Sequence, residues 1–101
     1  MTRKESIDYI EKEYPELICK ENFVFKNDYC LMSINDFSVR LCDLIYYDKL
    51  EKEMYCTRFI ECESILDLKK HIEILLKTLD LALKDKYEHE KNKLKERISN
   101  L

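Results

Sequence analysis

Cys19, Cys30, Cys42, Cys56 and Cys62 carry the richest chemistry in this chain, at successive spacings of 11, 12, 14 and 6 residues. A zinc site gathers four deprotonated ligands, usually as close pairs of the C-x2–4-C kind, and no two of these cysteines are that close. If "MYCTRFIEC" is one regular strand, Cys56 and Cys62 share a face about 20 Å apart at 3.3 Å per residue, too far to share an ion. Small apolar thiols filling a core are the expected role; the catalytic alternative is a cysteine-dependent enzyme built on one reactive thiol. His71 and His89 lie eighteen residues apart on one expected helix and cannot converge. "HEKNK", residues 89–93, opens like a zinc-protease helix but has Lys93 where the second histidine must stand.

The paired carboxylates "EKE" at 11–13 and 51–53, and "ECE" at 61–63, would serve as general acid and base only inside a desolvated cleft that splits their pKa values. Their polar neighbourhoods place them on solvated edges and loops. Glycine is absent, which excludes phosphate-cradling loops and nucleophile elbows, where backbone and ligand must approach closely. No catalytic residue, metal or cofactor is therefore expected, and no enzyme.

The elements that hold these residues follow from periodicity. Thr2 and Glu5 have capping-box spacing, and Ile7, Ile10 and Tyr14 then recur on one helical face until Pro15. Asn27-Asp28 and Asn35-Asp36 are eight residues apart, a spacing that fits hairpin turns around one strand, since Asn and Asp best tolerate positive φ after glycine. Along that strand Cys30, Met32 and Ile34 share one face, and Tyr29, Leu31 and Ser33 the other. Phe37, Val39 and Leu41 alternate next, but Leu44 and Tyr46 then fall on the polar face, which a bulge near Cys42-Asp43 would explain. "DKLEKE", residues 48–53, reads as a hairpin loop before "MYCTRFIEC"; a competing reading makes 36–58 one helix.

Ser64 and Asp67 cap a long C-terminal helix whose stripe is Ile65, Leu68, Ile72, Leu75, Leu76, Leu79, Ala82 and Leu83. Tyr87, Leu94, Ile98 and Leu101 continue its edge. From 64 to 98 this helix would run about 52 Å at 1.5 Å per residue, whereas a compact chain of this size has a radius of gyration near ~13 Å. Its end must overhang the body. The expected fold is α+β in one domain, 1–101: an N-terminal helix within 1–15, an antiparallel β-meander of three to four strands within 17–62, and a long C-terminal helix, 64–98, packed on the sheet and projecting beyond it.

With 46% hydrophobic and 39% charged residues, the chain has enough apolar surface to fold. Its net charge of −3 argues against a dominant nucleic-acid role, which needs clustered cations to displace counterions. From Lys84 onward, however, six Lys/Arg face four Asp/Glu, so the body before it is acidic by five. The charged N-terminus and the absence of an apolar run near ~20 residues point to a soluble cytoplasmic protein without a membrane span.

These features suit a small non-catalytic module that binds another protein through its acidic body and exposed tyrosines. Asp48, Glu51, Glu53, Tyr46 and Tyr47 are the candidate contacts. By size and charge, and by no motif, such a module suits an inhibitor carried by a phage or mobile element, as anti-CRISPR proteins that mimic nucleic acid do. Ile74 and Leu81 lie opposite the main stripe of the C-terminal helix, to be covered either by the N-terminal helix through Ile7 and Ile10 or by a second copy; with Leu83, Tyr87, Leu94 and Ile98 they are the residues expected to pair two copies as a homodimer. The rival reading is a dimeric nucleic-acid-binding accessory protein that uses the basic helical tail.

Overall fold

The computed structural model describes residues 1–99; Leu101, at the edge of the expected helical stripe, lies outside them. The architecture is α+β. Helix α1 (Arg3–Glu13) is followed by strands β1 (Ile18–Lys20), β2 (Phe23–Lys26), β3 (Tyr29–Ile34), β4 (Val39–Cys42), β5 (Ile45–Asp48), β6 (Glu53–Cys56) and β7 (Phe59–Cys62), then by helix α2 (Ile65–Ser99). Strands β1-β2-β3-β4-β7 form one antiparallel sheet, and β5 and β6 form a separate hairpin.

Both expected caps are in place. The Thr2 hydroxyl accepts from Glu5 N–H at 3.2 Å, and the Ser64 hydroxyl accepts from Asp67 N–H at 3.2 Å; each satisfies an amide that the first helical turn leaves without a partner. Asn27 and Asp28 take positive φ at the β2–β3 turn, as do Glu21 at the β1–β2 turn and Lys52 at the β5–β6 turn. Asn35 and Asp36 instead form a wider turn, closed by Asn35 N–H donating to the Ser38 carbonyl at 2.8 Å.

Residues 36–58 are strands and not a helix, and "MYCTRFIEC" is two strands rather than one. Cys56 and Cys62 accordingly sit in different sheets. Chain 39–62 is one long two-stranded ribbon with an interruption. Cys42 opposes Phe59 and Ile45 opposes Cys56 in the same register, and the gap is bridged by Asp43 N–H to Arg58 O and Thr57 N–H to Leu44 O. The interruption is where the alternation shifts in the sequence. Because the register carries across it, Leu44 and Tyr46 are not returned to the core and remain exposed.

A register shift between Val24 and Phe25 along β3 has a similar local effect. It leaves Met32 and Ile34 on the buried face but turns Cys30 to solvent and Leu31 inward, against the simple alternation of that strand.

The core lies between the sheet's inner face and α2. Val24, Met32, Ile34, Val39, Leu41 and Cys62 meet Leu68, Ile72, Leu75 and Leu79, all buried, with Ile10 of α1 closing one side. Each fully buried leucine or isoleucine contributes about 1.5–3 kcal/mol relative to exposure.

The Cα radius of gyration is 16.2 Å and the longest dimension 58 Å, larger than the ~13 Å radius of a compact chain of this length. The helix is long because the β5–β6 hairpin lies along it. Ile45 N–H donates to Thr78 Oγ1 at 3.1 Å, and that hydroxyl donates back to the Leu75 carbonyl at 2.9 Å. Farther along, the Tyr47 ring lies 5.8 Å from that of His89, and Lys86 Nζ donates to the Tyr29 hydroxyl at 3.3 Å. At the hairpin tip Lys52 stands close enough to Lys93 to lower that ammonium's pKa.

A chain ending at Lys84 removes His89 from the Tyr47 ring. Hydrogen exchange should then quicken by about tenfold or more at the β5–β6 amides while those of Met32 and Leu41 stay protected. Unchanged protection of the hairpin would show that it stands without the distal helix.

Candidate functional site

The β5–β6 hairpin has two unlike faces because its side chains alternate. Ile45, Tyr47, Met54 and Cys56 turn inward and pack on the core or on α2. On the other face Tyr46 opposes Tyr55 and Asp48 opposes Glu53. The Tyr46 and Tyr55 rings lie 5.9 Å apart, with Tyr46 47% exposed, and the Tyr55 hydroxyl donates to Glu53 Oε2 at 3.3 Å. Asp48 shapes the turn, accepting from Leu50 N–H at 2.8 Å and Glu51 N–H at 3.1 Å.

These carboxylates act on one phenol. Desolvation, and then the neighbouring charges of Glu53, Glu51 and Asp48, hold Tyr55 above the usual tyrosine pKa. The face is thus aromatic, partly dry and negative, with Leu50 fully extended into solvent at its tip.

Of the residues singled out from the sequence, Tyr46, Asp48, Glu51 and Glu53 come together on this outward surface. Tyr47 does not; it is buried on the opposite face. Tyr55 completes the site and was not among the candidates, because its membership depends on the register Tyr46↔Tyr55.

On α2, Ile74 and Leu81 are exposed, as are Tyr87, Leu94 and Ile98, so α1 does not cover the face opposite the main stripe. Leu83 is half-buried against the core.

Cys42 and Cys56 form a disulfide with Cα atoms 5.8 Å apart. They are three residues out of register, which in a straight ribbon would separate them by roughly 11 Å, so the chain bends sharply at the interruption. This pair departs from the expectation of unpaired thiols. Cys19, Cys30 and Cys62 are free, and burial raises the pKa of Cys19 and Cys62. Among the described residues no group of His, Cys, Asp and Glu is arranged to hold a metal ion, and no helix is long and apolar enough to cross a membrane.

Comparison with known proteins finds no matching family model, no matching curated protein and no matching solved structure.

Alkylation of the folded chain without reductant should label Cys30 first, Cys19 more slowly and Cys62 only on unfolding, with Cys42 and Cys56 labelled only after reduction. Mass spectrometry of the modified peptides reads this order; early labelling of Cys42 or Cys56 would contradict the disulfide.

Proposed function

We propose that this chain is a non-catalytic protein-interaction module whose binding surface is the outward face of the β5–β6 hairpin. The observation that carries the reading is the placement of Tyr46 and Tyr55 beside Glu53, with Asp48 and Glu51 at the adjoining turn. Paired tyrosines supply rigid contact area at little entropic cost, and their hydroxyls remain able to hydrogen-bond. Carboxylates around them favour a basic partner surface and steer its approach.

A basic, aromatic-accepting groove of the kind that holds nucleic-acid phosphates is the partner chemistry such a face fits, because it offers the same sign of charge. The reading is therefore an inhibitor that occupies a nucleic-acid-binding site on another protein, of the type carried by phages and mobile elements. The basic residues after Lys84 favour the nucleic-acid-binding alternative less, because Asp85, Glu88, Glu90 and Glu96 alternate with them at spacings where opposite charges pair.

The test compares the wild-type chain with a Glu51→Lys, Glu53→Lys double variant, each immobilised and exposed to a cell lysate. A basic protein should be retained by the wild type, be displaced by rising salt or a polyanion, and fall at least about tenfold in recovery on the variant. Equal recovery on both would overturn the assignment of this face.

A further inference from the structure

The outer face of the five-stranded sheet, turned away from α2, is not the polar surface that one-sided packing usually leaves. One cross-strand row on it reads Lys20, Phe23, Ser33, Arg40, Glu61. Phe59 sits two residues before Glu61 on the same face. Phe23 is 44% exposed and Phe59 56%, and with Arg40 they border a groove of about 400 Å³ that Cys30 and Ser33 also line. Phe23 and Arg40 are two strands apart, roughly 10 Å at normal sheet spacing, so a flat ring can enter between them. Exposed apolar patches with a polar rim mark interaction surfaces.

Arg40 defines what enters. Its guanidinium lies over the Phe59 ring, 5.0 Å from the centroid. Arg3 and Arg58 are engaged by Asp36 and Asp43 at 2.9 and 2.8 Å, whereas among the described residues Arg40 has no such ion pair, even with Glu61 directly across the ladder. A guanidinium held over a ring and without an ion pair keeps N–H groups available, and its fork of donors matches a carboxylate in two parallel hydrogen bonds. The groove therefore calls for an aromatic ring with a carboxylate beside it. Nucleic acid fits it less well, since Glu21 and Glu61 interrupt the track of cations that phosphates need.

The tyrosine face of the hairpin has that chemistry, since Glu53 accepts from the Tyr55 hydroxyl beside the exposed Tyr46 ring. We propose that the Phe23–Arg40–Phe59 groove docks the Tyr46–Tyr55–Glu53 face of a second copy of this chain. The inference rests on the reading of the hairpin face as a docking surface. Groove and hairpin are adjoining but different patches, with Phe59 and Tyr55 lining one cavity between them. Every copy therefore supplies both halves of the contact, and two copies can satisfy each other about a two-fold axis or chain head to tail. The competing self-association surface is the outer face of α2, where Ile74 and Leu81 are exposed.

Light scattering after size exclusion at low salt, up to about 100 µM, tests this. The wild type should show an average mass above its 12.3 kDa, rising with concentration and falling with salt. Arg40→Glu and Glu53→Arg should each run as monomers, with circular dichroism confirming that they are folded. An equal mixture of the two should regain the higher mass, because each supplies the charge the other has lost; an Ile74→Glu, Leu81→Glu variant should associate like the wild type. The proposal is overturned by a monomeric wild type, by either charge variant remaining associated, by a mixture that stays monomeric, or by dissociation of the α2 variant. Arg40→Glu leaves the hairpin face intact, so continued capture of a basic partner by that variant, with no self-association in the wild type, would refute this contact alone.

Discussion

The salt bridge between Asp43 and Arg58, 2.8 Å long, occupies the one place in the β4–β7 ribbon where the inward side chains cannot be dry. On either side of it the inward positions are apolar: Val39, Leu41, Ile60 and Cys62 toward the sheet, and Ile45, Tyr47, Met54 and Cys56 toward the hairpin end. Burying a charged pair forfeits hydration that its mutual attraction seldom restores, and Arg58 keeps 74% of its side chain exposed. The ribbon bends there, and the disulfide between Cys42 and Cys56 spans the bend. The hairpin beyond it cannot join the main sheet and has to find another surface for Ile45 and Tyr47. A helix that continues past the sheet provides one, and α2 carries the hairpin as far as Lys93, beside Lys52 at the tip.

The same alternation that buries Tyr47 exposes Tyr46 and Tyr55. A strand that must place one aromatic against His89 presents its neighbours to solvent, where Glu53 engages the Tyr55 hydroxyl. On the main sheet, the alternation that buries Val39 and Leu41 exposes Arg40 above Phe59. The residues proposed for binding sit on the reverse side of core-forming residues, on strands whose positions are set by packing. Side chains carried on such strands lose less freedom on binding than those on a mobile loop would.

Both helices were legible because the 3.6-residue period extends over several turns and the caps Thr2 and Ser64 have recognisable spacing. The buried stripe of α2 matches residue for residue at Leu68, Ile72, Leu75, Leu79 and Ala82. The strands were less so. Glu21 gives no compositional hint that it takes φ of 57°, so the β1–β2 hairpin went unseen. "MYCTRFIEC" reads as one apolar run, because nothing local marks Thr57-Arg58 as a boundary; the boundary arises from Arg58 pairing with Asp43, fifteen residues away. The candidate site was half legible for the same reason. Tyr46 and Tyr47 are equivalent in sequence, and only the continuous register across the bend separates the exposed ring from the buried one. Disulfide partners three residues out of register follow from that bend and not from cysteine spacing.

Because β4–β5 and β6–β7 keep a single register through the interruption, the hairpin is a ruler with a fixed increment. Adding or removing two residues in each arm preserves which side chains face α2, and moves the tip about 7 Å along the helix. An odd change would turn Tyr47 outward and the tyrosine pair inward. Helix α2 continues beyond Lys93 as an exposed track through Leu94 and Ile98, leaving room for a longer arm. Variation in reach is thus available to this architecture in discrete steps, with the sheet, the bend and the first five turns of α2 left as they are.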